Sequence, residues 1–266
     1  MTFFKISAWL TLMASMMTLL VMGIIERFSS SLAMAIVLIV LGIMSLFFAL
    51  LIRHRRPLDE PWQFEKTDFY TFLWVYFPAI LTYNIAMYDA FSSVFASALV
   101  GLVGAVLVKK YELPIFCGSF VGMASASLFG AWGFVFAALM AGIVYVFSSR
   151  LFRGFGGRAG TIAFSGILIS MLMNDLSSAP ALSFTLLEGG YLILAGLGGA
   201  LLTRLLHKTQ KVSVVAASAI TGLFLSLLFD YETFALSPYI VMVGYGASFV
   251  GMSDESLLPS YYWIGI

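Results

Sequence analysis

Long apolar runs separated by short polar breaks follow one another along the whole chain. The breaks divide it into ten segments: 7–25, 31–52, 69–86, 91–108, 113–129, 131–147, 160–173, 189–206, 212–229 and 234–252. About 20 apolar residues in a helix cross a bilayer, and in lipid the backbone must satisfy its own polar groups. The pattern therefore predicts an all-α integral membrane protein with about ten transmembrane helices. The segment 160–173 is short and follows a Gly-rich stretch, which makes it a candidate half-helix. The apolar run from Ser7 to Ile25 exceeds the roughly 7–15 residues of a signal-peptide core, so it is assigned to the fold.

The segments are related to one another. Ser119-Phe120-Val121-Gly122-Met123 recurs as Ser248-Phe249-Val250-Gly251-Met252. Residues 92–102 (SSVFASALVGL) match 213–223 (SVVAASAITGL) at seven of eleven positions, with an offset of 121. At the same offset Ala79-Ile80-Leu81-Thr82 falls on Ala200-Leu201-Leu202-Thr203. The offset grows to 129 at the pentapeptide, so the second copy carries eight extra residues. Ser7-Ala8-Trp9 resembles Gly130-Ala131-Trp132, with Ala14 and Met17 on Ala137 and Met140. The chain reads as two halves, 1–129 and 130–266, within one membrane domain.

Charge gives the halves a direction. If the segments alternate, 13 of the 14 Lys and Arg fall on one side, and only Arg27 falls opposite. By the positive-inside rule that side is cytoplasmic, and both termini lie there. Five is an odd number, so matched segments run in opposite senses. The expected architecture is a 5+5 inverted-topology repeat, as transport proteins often use. A composition of 61% hydrophobic and 10% charged residues excludes an ordinary soluble domain. The expected location is a bacterial inner (plasma) membrane. A net charge of +1 without a basic face gives no reason to expect nucleic acid. The expected partners are the lipid bilayer and a small-molecule solute, and small-residue helix faces leave a homo-oligomer open.

No enzyme constellation is visible. His54 and His207 sit in loops without metal-ligand spacing, and no nucleophile has a base nearby. Gly154-Phe155-Gly156-Gly157-Arg158 lacks the Lys-Ser/Thr of a phosphate loop and reads as a flexible turn with a topogenic arginine. Cys117 stands alone, which excludes an internal disulfide, and reads as an inert buried thiol. No cofactor, metal or catalytic residue is expected. No Asp, Glu, Lys, Arg or His falls near the centre of any segment, which argues against a proton-coupled carboxylate and for a facilitator or channel, or for ion coupling through backbone carbonyls and hydroxyls.

The polar residues inside the segments are mild, and they match in pairs: Ser97 with Ser218, Ser119 with Ser248, Thr82 with Thr203. A repeat axis near mid-membrane brings equivalent segments together. The candidate pathway is therefore Ser119, Phe120, Gly122, Ser248, Phe249 and Gly251, with Ser97 and Ser218 beside them. Phe120 and Phe249 would form an apolar constriction, the serines would supply hydrogen bonds, and the glycines would permit a broken helix. Asn84, toward the outer end of 69–86, is a candidate for a vestibule. Small residues spaced by four also let helices approach closely, so packing stands beside permeation as a reading of the same positions.

Residues 102–108 (LVGAVLV), the break Lys109-Lys110-Tyr111-Glu112 and then Cys117-Gly118-Ser119-Phe120-Val121-Gly122 resemble the urea transporter family over about 100–130, and more weakly over 213–252. The resemblance implies two inverted five-helix halves and aromatic slots that pass a flat neutral solute. The Asn-Asn-Pro element of that family is missing, so its substrate does not carry over. The expected function is a facilitator or channel-like protein for a small neutral or weakly charged solute. The alternatives are a non-transporting membrane subunit packed through small-residue faces, and an ion- or metabolite-coupled secondary exporter.

Overall fold

The computed structural model of the chain describes residues 64–88, 91–124, 130–148, 154, 156–173, 184–229 and 235–254. The expected segments 7–25 and 31–52, residues 7–9 of the match to 130–132, and both termini lie outside the described residues. Among the described residues all regular structure is helical. The helices are α1 (Lys66–Ala86), α2 (Ser93–Leu107), α3 (Glu112–Gly122), α4 (Ala131–Phe147), α5 (Arg158–Met173), α6 (Leu186–Gln210), α7 (Val214–Phe229) and α8 (Ser237–Gly251). Each overlaps one of the other eight expected segments.

Local chemistry sets the ends. Ser92 Oγ accepts from the Phe95 N–H at 3.1 Å and starts α2. Thr185 and Glu188 form a capping box at α6: the Thr185 N–H donates to Glu188 Oε2 at 2.7 Å, and Thr185 Oγ1 accepts from the Glu188 N–H at 3.3 Å. The Thr185 N–H bond, with a second from the Thr185 hydroxyl to Glu188 Oε2 at 2.8 Å, holds the Glu188 carboxyl below its ordinary range. Pro114 and Pro238 occupy the first turns of α3 and α8, where a missing N–H costs nothing.

Helix length departs from expectation. Among the described residues only α6, with 25 residues, is long and apolar enough to cross a membrane by length and composition. The apolar helices α2, α4, α5 and α7 have 15, 17, 16 and 16 residues. At 1.5 Å per residue these reach about 22–26 Å, short of a hydrocarbon core of about 30 Å. Within the expected segment 113–129 the described helix is short. α3 stops after 11 residues at Gly122, and α8 stops at Gly251, so both end inside the repeated pentapeptide. Ten full-length spans are thus not what the described helices form.

The packing reproduces the sequence match. α1, α2 and α3 pack on one another, as do α6, α7 and α8, while α2 and α7 join the two units. α4 and α5 pair, and lie against α1 and α3 respectively. A Cβ on Gly122 would meet Thr82 and, at 2.7 Å, the Ala79 carbonyl oxygen. A Cβ on Gly251 would meet the Ala200 carbonyl and, at 3.0 Å, the equivalent Thr203. Where one copy is large the other is small: Gly104 lies against Ile115, while at the matched positions Leu225 lies against Gly244. Such exchanges keep the packed volume of each interface while the sequences diverge.

α6 and α7 carry large apolar side chains on their outward faces, around an interior that is apolar as well. α6 buries Gly199, Ala200, Thr203 and Arg204, and leaves Tyr191, Ile193, Leu194, Leu201 and Leu205 exposed. α7 buries Ser218, Thr221, Gly222 and Ser226 and exposes Phe224, Leu227 and Leu228.

Candidate functional site: an aromatic junction beside an arginine-lined cavity

α3 and α8 bring the two pentapeptides together. The rings of Phe120 and Phe249 lie 4.5 Å apart, tilted by 50°. One turn earlier on each helix stand Phe116 and Tyr245, matched by the same offset of 129. The four rings form one group: Phe116–Tyr245 at 6.3 Å, Phe116–Phe249 at 6.0 Å and Phe120–Tyr245 at 5.6 Å. The last two pairs are exchanged by the repeat, as a two-fold axis through the group requires. Gly101 and Gly222, also equivalent, make room for Phe116 and Tyr245 respectively. Separations of 4.5–7 Å are those of favourable tilted and edge-to-face pairs. The junction is packed with rings in contact.

The candidate serines flank these rings in two equivalent bridges. Ser97 Oγ lies 3.0 Å from Ser119 Oγ, and Ser218 Oγ lies 2.6 Å from Ser248 Oγ. Ser119 donates to the Phe116 carbonyl at 2.8 Å, and Ser248 to the Tyr245 carbonyl at 2.6 Å. All four serines are buried. Ser97 also reaches Tyr245 Oη at 3.3 Å, which crosses from one unit to the other. Gly122 and Gly251 serve close helix approach. Asn84 stands apart: it is exposed, and its amide donates to the Ile80 carbonyl at 2.8 Å.

Hydropathy and topology counting missed a second feature. A cavity of about 120 Å³ opens where the ends of five helices meet. Leu113 of α3, Tyr145 of α4, Arg158 and Ala159 of α5, Val214 of α7 and Met252 after α8 line it, with Gly154 and Gly156. Its glycine-rich rim is tied to the end of α8. Gly154 O accepts from the Asp254 N–H at 2.8 Å, and the Gly156 N–H donates to Ser253 Oγ at 3.1 Å. A Cβ on Gly160 would touch the ring of Phe249 at 3.2 Å, so the same segment that rims the cavity abuts the aromatic junction.

Arg158 is the cation of this cavity. Its guanidinium lies 5.1 Å from the centre of the Tyr145 ring. Nη2 donates to the Ser148 carbonyl at 3.3 Å, while Nε is buried and has no partner. Arg204, counted from sequence among the cytoplasmic-side charges at the end of segment 189–206, is buried in α6 at 2% exposure and donates to the Ser253 carbonyl at 2.7 Å. Among the described residues no three His, Cys, Asp or Glu lie together as a metal site. No family model, curated protein or solved structure matches the chain.

Proposed function

We propose that the chain is a membrane transport protein, facilitator or channel-like, that moves a small neutral or weakly charged solute between two inverted five-helix repeats. The observation that carries this reading is the contact of Phe120 with Phe249 at 4.5 Å, where equivalent helices of the two units meet beside a cavity. The four-ring group then acts as a closed constriction, and the cavity as the solute's approach from one side. Several facts support an inverted arrangement in a bilayer. Leu113 near the start of α3 and Met252 just past the end of α8 share one cavity, although α3 and α8 are equivalent. All five helix ends around that cavity are ones that the charge alternation assigns to the basic, cytoplasmic side. The outward apolar faces of α6 and α7 suit lipid, and their small inward faces suit close helix packing.

A second reading rests on the same junction. Its serines are satisfied internally and its rings touch, as a non-transporting subunit would require. Flux from reconstituted liposomes, measured over a panel of small neutral and weakly charged solutes, separates the two. Transport predicts solute-dependent flux in the wild type and faster, less selective flux when Phe120→Ala and Phe249→Ala are combined. Absence of flux in both, with each protein folded, would leave the subunit reading in its place.

A further inference from the structure

We propose that the cavity beside Arg158 binds a small organic monoanion, of the short-chain monocarboxylate class. This deepens the transport reading by naming its solute, and it rests on that reading only for the claim that the bound anion is also carried.

The cavity has the right size. At about 120 Å³ it approaches the roughly 150 Å³ that accommodates benzene in an apolar protein cavity. That is room for a few heavy atoms. Its walls divide by chemistry: Leu113, Ala159, Val214 and Met252 offer apolar contact, while Arg158 supplies a full positive charge. No residue that lines it carries a carboxylate. A ligand matched to these walls has one negative head and a short apolar tail.

The orientation of Arg158 selects the head group. The Tyr145 ring stands near the guanidinium at 5.1 Å, so recognition falls to the in-plane N–H groups. Of these, Nη2 is engaged by Ser148, and Nε is buried without an acceptor. Nε has no surface open to the cavity, so a ligand there meets the guanidinium through its terminal nitrogens. A planar guanidinium matches a carboxylate, which accepts in the plane of the fork. Glu112, which precedes Leu113, is half-buried with an unpartnered Oε2, so a zwitterion is the rival to be tested.

The test is calorimetric titration of the full chain in nanodiscs of zwitterionic lipid at fixed ionic strength, with propionate, propionamide and β-alanine. The proposal expects saturable binding of propionate and none of propionamide. It also expects about ten-fold or greater weakening in Arg158→Gln, with part of the affinity kept in Arg158→Lys. Should Arg158→Gln lose the wild-type melting transition, Val214→Phe decides. It fills the cavity from α7 without altering Arg158 and should abolish propionate binding. Equal binding of propionamide, tighter binding of β-alanine, or unchanged propionate affinity in a folded variant overturns the monoanion site. Propionate binding without liposome flux supports the site and removes only the transport reading. Flux of neutral solutes without propionate binding overturns the site and leaves that reading standing.

Discussion

Thr203 Oγ1 lies 2.9 Å from Thr221 Oγ1, a buried hydrogen bond between α6 and α7 that has no counterpart in the first unit. Thr82, the equivalent of Thr203, is fully buried with its Oγ1 unpartnered, because Val100 stands where Thr221 would be. Thr221 places its hydroxyl between Thr203 and the Ala217 carbonyl one turn back, 3.0 Å away. The repeat thus contains both the satisfied and the orphaned form of one interaction.

That comparison predicts opposite signs for two conservative substitutions. Val100→Thr supplies the missing partner and should stabilise by about 1 kcal/mol. Thr221→Val strands Thr203 and should destabilise by about 1–3 kcal/mol. Thermal unfolding in one detergent checks both. A destabilised Val100→Thr would mean that position 100 does not face Thr82 as position 221 faces Thr203.

Gly122 and Gly251 should respond alike to alanine. Each new methyl would press on backbone and a threonine of the neighbouring helix, none of which can swing away. Overpacking of this kind costs about 1–3 kcal/mol. Gly246 has open space at its Cβ position. Gly246→Ala is therefore the control, expected to be neutral or slightly stabilising through helix propensity. Unfolding of the three variants side by side decides it.

The sequence carried the relationships between helices better than their lengths. The matched sets Ala79, Thr82 and Gly122 in one copy and Ala200, Thr203 and Gly251 in the other make contacts that the fold repeats. The meeting of Phe120 and Phe249 followed from that match. The four-ring group was within reach, because carrying the offset of 129 back by one turn pairs Phe116 with Tyr245. Helix ends were not, since hydropathy continues past Gly122 through Met123 and Ala124 while α3 stops. The cavity was hidden for another reason. Its walls come from five helices far apart in sequence, and Arg158 and Arg204 look like side-setting charges at segment ends until the fold buries part of one and nearly all of the other.

Acid should loosen the first turn of α6. The Glu188 carboxyl is held below its ordinary value by hydrogen bonds from the Thr185 N–H and hydroxyl. A depressed carboxyl contributes stability above its unfolded pKa and loses it as pH falls through the lower, folded value. The site is exposed, so the effect is local. Hydrogen exchange at Leu187–Gly190 should accelerate, relative to its intrinsic rate, only at pH below the ordinary carboxylate range. Thr185→Ala removes the hydroxyl bond but keeps the backbone one, and should weaken that pH dependence.

Ser119→Ala and Ser248→Ala, though equivalent by repeat, should differ. After Ser119→Ala, Ser97 keeps Tyr245 Oη at 3.3 Å as a partner. After Ser248→Ala, Ser218 loses its bridge of 2.6 Å and stays buried. The second substitution should cost about 1 kcal/mol more than the first, the usual difference between a re-paired and a stranded hydroxyl. If the serines only pack, flux should survive both substitutions while stability falls unequally. If they line a route, flux should fall in both, irrespective of the stability order. Measuring melting and liposome flux on the same preparations separates the two roles, because packing predicts an asymmetry in stability alone and permeation predicts a shared loss of transport.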